Sequence, residues 1–327
     1  MKKLGVAAAL TLCAAGAFAS NFRAADQVYV PVAGHAAGQG ALFLSDIVVA
    51  NVENEPVDVS VIFSTGPGGT QQEFKNLIHL AANERKEYVD FVGATLGQSS
   101  AIGQIVFNAC AAGQDCGPAT QIDGVSPFFK NITVESRIYS IPTGSGANPP
   151  TSGQDMPGIP WYNFVSTLQS GTKLDKVMIT GIRQTGGATQ AGTYRANIGL
   201  VNASQYSRST MVVSLYQMNG TKIAEHSETL EPLGFVQKNI SSMPEFSTFT
   251  GSGWVTVEQR NVVPVNAPSD CTQGCPAFLA YGSVLDNVTN DATTLEAQYL
   301  VPMDPAALAI LYPGSSGKAS IRRSVRH

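Results

Sequence analysis

Asp46 to Phe63 reads DIVVANVENEPVDVSVIF: two runs rich in Val and Ile around a polar segment in which Asn51 and Pro56 supply the backbone angles of a reversal. About 150 residues later, Ala196 to Tyr216 (ANIGLVNASQYSRSTMVVSLY) follows the same plan, with Asn202 placed 151 residues after Asn51. Gly253 to Glu258 (GWVTVE) likewise follows Gly103 to Asn108 (GQIVFN) at an interval of 150 residues. An offset held across several elements marks one β-rich unit written twice.

Around these anchors the first unit offers further strands at Gln27–Ala33, Ala41–Ala50, Leu77–Leu80, Glu87–Phe91 and Ile132–Ile141. AGHAAGQG reads as a Gly-rich loop between the first two. In the second unit Lys176–Ile182 and Phe278–Leu285 stand in corresponding places. Turns recurring about every 8–12 residues are the habit of a Greek-key β-sandwich, so the expected fold class is all-β with two tandem sandwiches. The Pro/Gly-rich stretch Pro142–Pro160 is either a linker or a hairpin tip from which WYNFV returns as a strand. The expected divisions are a leader over 1–19, domains over 20–170 and 171–303, and a terminal segment over 304–327. In that segment Asp304-Pro305 begins a short helix and Lys318, Arg322, Arg323 and Arg326 make a basic tail.

The leader, MKKLGVAAALTLCAAGAFAS, has a positive start, a short apolar core and an Ala17-Phe18-Ala19 cleavage site of bacterial form. Cleavage after Ala19 sends the chain out of the cytoplasm, to the periplasm, the envelope or the medium. Acylation at Cys13 is the competing reading, opposed by Leu12 where a small residue is required. Loss of Lys2 and Lys3 leaves 18 basic against 24 acidic residues, a balance with no footprint for nucleic acid.

Four cysteines follow, Cys110 and Cys116 in the first unit and Cys271 and Cys275 in the second, in corresponding loops. An oxidising compartment makes two local disulfides the natural reading. A four-thiolate zinc site needs the two loops to meet in reduced form. His35 is the best single candidate for a ligand or base, because a Gly-rich loop would expose it. Asp46, Glu53, Asp58, Glu84 and Glu87 are carboxylates that glycoside cleavage would have to pair, and no nucleophile elbow is present. The segment Asp286-Asn287-Val288-Thr289-Asn290-Asp291 reads as a hairpin turn, and its oxygens are also candidate calcium ligands. Trp161, Tyr162, Tyr194, Tyr206 and Trp254 are core aromatics or a sugar-stacking platform.

VYVPVAGHAAG followed by LSDIVVAN, and later LAYGSVLDNVTNDATTLEAQ, resemble tandem Ig-like β-sandwich repeats of largely uncharacterised secreted bacterial proteins. The resemblance spans Val28 to Val301 and implies an Ig-like fold and a secreted location, with no catalytic residues to carry over. The expected function is therefore non-catalytic: adhesion, surface structure, or binding of an extracellular protein or polysaccharide by loops, with no cofactor unless calcium. A secreted hydrolase or its carbohydrate-active accessory is the alternative.

Overall fold

The computed structural model describes residues 24–299, apart from 39, 116–128, 147–148, 165–175, 187–189, 191, 270–271 and 273. The leader, the terminal helix, the basic tail, Cys116 and Cys271 lie outside the described residues. The first half holds β1 (Gln27–Gly38), β2 (Ala41–Asn51), β3 (Val57–Thr65), β4 (Thr70–Leu80), β5 (Arg85–Tyr88), β6 (Ala101–Ala111), β7 (Ile132–Pro142), β8 (Ser152–Pro157) and β9 (Ile159–Pro160). The second holds β10 (Lys176–Gln184), β11 (Tyr194–Asn202), β12 (Ser207–Gln217), β13 (Lys222–Leu230), β14 (Phe235–Asn239), β15 (Gly251–Pro264), β16 (Phe278–Asp286), β17 (Ala292–Glu296) and β18 (Gln298–Tyr299).

Seven antiparallel pairings of the first half recur, strand for strand, in the second. β1 pairs β6 as β10 pairs β15, β3 pairs β4 and β6 as β12 pairs β13 and β15, and β1 pairs β9 as β10 pairs β18. β2 pairs β5 and β7 as β11 pairs β14 and β16, and β7 pairs β8 as β16 pairs β17. A bulge between Val30 and Ala33 in β1 recurs between Ile179 and Ile182 in β10. The halves differ at one corner, where β1 also pairs β2 and joins the first half's sheets into one of nine strands; the second half keeps separate sheets of five and four. Each half retains the immunoglobulin pairings of second with fifth strand and third with sixth. The first strand, however, lies beside the sixth and the seventh beside the second, which exchanges the outer strands of the usual order.

Alternation of inward and outward side chains builds three cores. Val30, Ile47, Val59, Ile105 and Phe107 fill the first sandwich, and Ile179, Ile198, Val213, Val257 and Phe278 the second. A third apolar cluster lies between the halves, where Tyr29, Ile62, Val106 and Phe164 meet Val201, Leu233, Phe235, Leu279 and Tyr281. One sheet of the first sandwich thus packs its outer face on the opposite kind of sheet of the second, head to tail. The β3–β4 turn completes the contact: Glu231 N–H donates to Pro67 O and Phe235 N–H to Gly66 O, both at 2.9 Å. Gly69 permits this approach, since its φ is +62° and a Cβ there would stand 2.1 Å from Pro232 O.

The matching outer faces carry polar residues at most of the corresponding positions. At the positions of Tyr29, Ile62 and Val106 the second half has Met178, Ser214 and Thr256. At those of Phe235, Leu279 and Tyr281 the first half has Arg85, Thr133 and Glu135. The stack of two is therefore capped at both ends, as the terminal units of repeat proteins are. The outer edges are blunted as well: Asn76 (φ 46°) sits at a bulge in the β3–β4 pairing, a second bulge lies between Leu215 and Tyr216, and Lys75 and Lys222 add charge.

Three local expectations need correction. AGHAAG is strand, because Ala36–Gly38 are small enough for β1 to run on against Ala41–Phe43. The strand expected over Glu87–Phe91 stops at Tyr88, because Asp90 is left-handed (φ 49°) and caps a single π-type turn over Phe91–Thr95. Pro142–Pro160 is a hairpin connection, but the returning strand is β8; Trp161–Asn163 forms a 3-10 turn after Pro160, and the Trp161 indole N–H donates to Asp26 at 2.9 Å.

Candidate functional site

A cleft of about 360 Å³ opens where the halves meet, between β7–β8 and the β11, β14 and β16 sheet. Its polar lining includes Tyr139 and Gln154 from the first half and Arg195, Asn197, Gln237 and Ser283 from the second. The hydrogen bonds within this lining consume oxygens and leave nitrogens. Gln154 Oε1 accepts from Ser283 Oγ at 3.1 Å, Gln237 Oε1 from the Tyr281 hydroxyl at 2.7 Å, and Asn197 Oδ1 from Asn239 Nδ2 at 3.3 Å. Among the described residues the side-chain N–H groups of Gln154, Asn197 and Gln237 meet no protein acceptor. The Arg195 guanidinium donates to Asn287 Oδ1 at 3.0 Å and Asn290 Oδ1 at 2.7 Å, with no carboxylate within ion-pair distance among the described residues. Burial lowers its pKa from the ordinary arginine value, with nearby Asp286 opposing. The cleft is thus rich in donors and holds a half-buried cation whose desolvation no bonded anion offsets.

His35 lies beside this cleft, half-buried on β1. Its Nδ1 is 2.9 Å from both oxygens of Asp90, which also accepts from Gly93 N–H at 3.1 Å. A Cβ on Gly93 would stand 2.2 Å from that ring nitrogen, so only glycine fits. Asp90 N–H donates to Asp46 Oδ1 at 2.9 Å, and the Tyr139 hydroxyl to the same oxygen at 3.1 Å. Burial and the Asp46 charge push the Tyr139 hydroxyl up to about 12, so it stays a donor at neutral pH. Arg137 lies 4.9 Å over the Tyr139 ring. The network orients one wall of the cleft, and among the described residues it places no hydroxyl or thiol nucleophile against His35.

The other sequence candidates are dispersed. Asp58 bonds His79 at 2.6 Å, Glu84 caps Ala81 N–H at 2.7 Å, Glu87 faces Arg85 and Glu53 accepts from Asn131. His226 lies between Glu228 and Glu245. Cys110 lies near the end of β6 and Cys275 precedes β16; both are buried. In the 286–291 turn Asp286 Oδ1 accepts from Val288 and Thr289 N–H at 2.8 and 3.0 Å, which holds its carboxyl below the usual value. Asn287 and Asn290, two of the candidate calcium ligands, give their oxygens to the Arg195 guanidinium. Asp291 N–H donates to Thr289 Oγ1 at 3.1 Å. Sequence reasoning missed Arg195, Gln154 and Gln237, because strand-borne polar residues show no partner until the sheet register and, for Gln154, the docking of the halves are known.

No family model matches the chain, and no curated protein matches it. Among solved structures it is similar to Bacteroides uniformis beta-glucuronidase 2 covalently bound to cyclophellitol-6-carboxylate aziridine, at 8% identity and a TM-score of 0.15, covering 84% of this chain and 25% of that one. A crystal structure of Bacteroides uniformis beta-glucuronidase gives 9% identity and a TM-score of 0.15 over 84% and 25%. The chain spans about a quarter of these proteins' length, and a likeness at this level carries no argument about its function.

Proposed function

We propose that the protein is a non-catalytic extracytoplasmic binding module whose inter-half cleft takes an oxygen-rich anionic group, such as an acidic sugar unit of an envelope or extracellular polysaccharide. The observation that carries this reading is the donor excess around Arg195, which a ligand bearing oxygens and negative charge would satisfy. No helix among the described residues is long and apolar enough to cross a membrane. Uronic-acid oligosaccharides titrated calorimetrically against the full chain should bind, and more weakly as salt rises. Arg195→Met, similar in length and uncharged, should weaken that binding about tenfold or more, the scale of one lost charged hydrogen-bond pair. Equal affinity in the variant, or no binding to the wild type, would remove the reading.

The same reading includes local disulfides Cys110–Cys116 and Cys271–Cys275, which fit an oxidising compartment and the burial of Cys110 and Cys275. Non-reducing peptide mapping should recover these two linkages; free thiols or a linkage between the halves would exclude them.

A further inference from the structure

The free face of the second sandwich carries a pair of aromatics at positions that are polar on the docked face of the first. Tyr216 on β12 and Trp254 on β15 are direct cross-strand partners, their rings stacked at 4.0 Å with planes 5° apart. Both are half exposed. Their counterparts in the first half, Ser64 and Gln104, are buried and bond to Leu233 O of the second half. Two residues further along each strand, Met218 and Ser252 line an open groove of about 520 Å³. Its floor is Phe249, and its rim the exposed polar side chains of Gln217, Asn219, Thr248 and Thr250 together with the exposed Ile223. Met218 is 69% exposed, so an apolar side chain stands at the rim of a polar groove without cover.

The lining contains no ionisable residue. The charges nearby on the same sheet are paired with one another: Lys222 with Glu225, Arg260 with Glu258 and Glu225, and Lys176 with Glu258. An apolar floor ringed by amides and hydroxyls, beside aromatic rings and with no net charge, matches a pyranose ring, which has apolar C–H faces and an equatorial belt of hydroxyls. We propose that this groove and the Tyr216–Trp254 pair form a second site, for a neutral polysaccharide, independent of the anion-accepting cleft. A protein partner would need an apolar patch broad enough to exclude water around an anchor, and here exposed hydroxyl and amide groups interrupt the three apolar side chains Met218, Ile223 and Phe249.

Affinity electrophoresis of the full chain through gels containing laminarin, xyloglucan, galactomannan or alginate tests this. At least one neutral polysaccharide should retard the wild type and the Arg195→Met variant alike. Trp254→Ala should weaken the retardation at least tenfold, and Tyr216→Ser, which restores the first half's residue type, should do the same. Should either lose its cooperative melt, Met218→Arg blocks the groove from a fully exposed turn and must abolish retardation by itself. Retardation by alginate alone, by none of the neutral polymers, or unchanged in Met218→Arg and Trp254→Ala would overturn the site and leave the ring pair a support of its sheet.

Discussion

Tyr29→Ala is expected to lower the unfolding free energy by about 3–5 kcal/mol, the cost of emptying a fully buried aromatic site. Tyr29 is completely inaccessible in the cluster between the halves, edge-on to Phe164 at 4.5 Å, and its hydroxyl donates to Ala203 O of the second half at 3.1 Å. Removal empties the centre of the contact and leaves that carbonyl without its donor. Tyr29→Phe keeps the ring and should cost only about 1–2 kcal/mol for the lost hydrogen bond. The pair also separates packing from titration. Burial holds the Tyr29 phenol far above the ordinary tyrosine value, and Tyr281 behaves likewise. A group raised in the folded state contributes stability that is complete below its unfolded pKa, about 10 for tyrosine, and is lost as pH rises through the folded value. The gap between wild type and Tyr29→Phe should therefore narrow above pH about 10. Urea unfolding followed by tryptophan fluorescence reports on both halves, since the chain's two tryptophans, Trp161 and Trp254, fall one in each. Equal losses for Ala and Phe at neutral pH would mean that the ring contributes nothing to the joint.

The all-β architecture was legible because the elements are written in strand residues. The intervals between Asn51 and Asn202, and between GQIVFN and GWVTVE, fall on strands whose pairings correspond in the two halves. The docking of the halves was not legible. Tyr29, Val106, Leu279 and Tyr281 look in sequence like ordinary alternating strand residues, and only comparison with Thr256, Thr133 and Glu135 at the positions matching the last three shows which face of each half is made for docking. That comparison needs the register, which a repeat of low sequence similarity does not supply by itself.

The site was read less well, for the same reason. His35 was noticed because glycine and alanine surround it, yet those small residues serve close strand pairing, and the ring is fixed by Asp90, whose left-handed backbone interrupts an expected strand. Arg195 attracted no notice, while Asn287 and Asn290 did, and the three belong to one arrangement. A turn rich in Asn and Asp signals oxygens; whether a metal or a guanidinium meets them depends on a strand about 90 residues away in the chain.

Asn202→Ala is expected to cost about 2–4 kcal/mol, well beyond the typical single hydrogen bond, because one amide serves several buried carbonyls. Its Nδ2 is shared among Ser207 O at 2.7 Å, Glu231 O at 2.9 Å and Leu230 O at 3.3 Å, while Oδ1 accepts from Ser204 N–H at 3.2 Å. One side chain thus ties the turn after β11 to the end of β13. Asn51 plays the same part in the first half, donating to Glu55 O and Ala81 O at 2.8 Å and accepting from Glu53 N–H at 2.8 Å. The two should nevertheless respond differently. Glu55 and Ala81 lie in exposed turns where water can replace the amide, whereas Leu230 is fully buried and Asn202 O itself accepts from Gln104 across the joint at 3.3 Å. Asn51→Ala should accordingly cost about 1–2 kcal/mol, the range for carbonyls that recover a partner. Asn202→Asp sharpens the test, since it conserves volume while turning the donor nitrogen into an acceptor that faces three carbonyls. Ionised, it should destabilise at least as much as alanine. Those carbonyls and its burial raise the carboxyl's folded pKa, so part of the loss should be recovered as pH falls and the protonated group can donate once more. Thermal melts of the three variants from neutral to mildly acidic pH decide the matter, and equal losses for Asn51→Ala and Asn202→Ala would show that the joint adds nothing to the second copy of this tie.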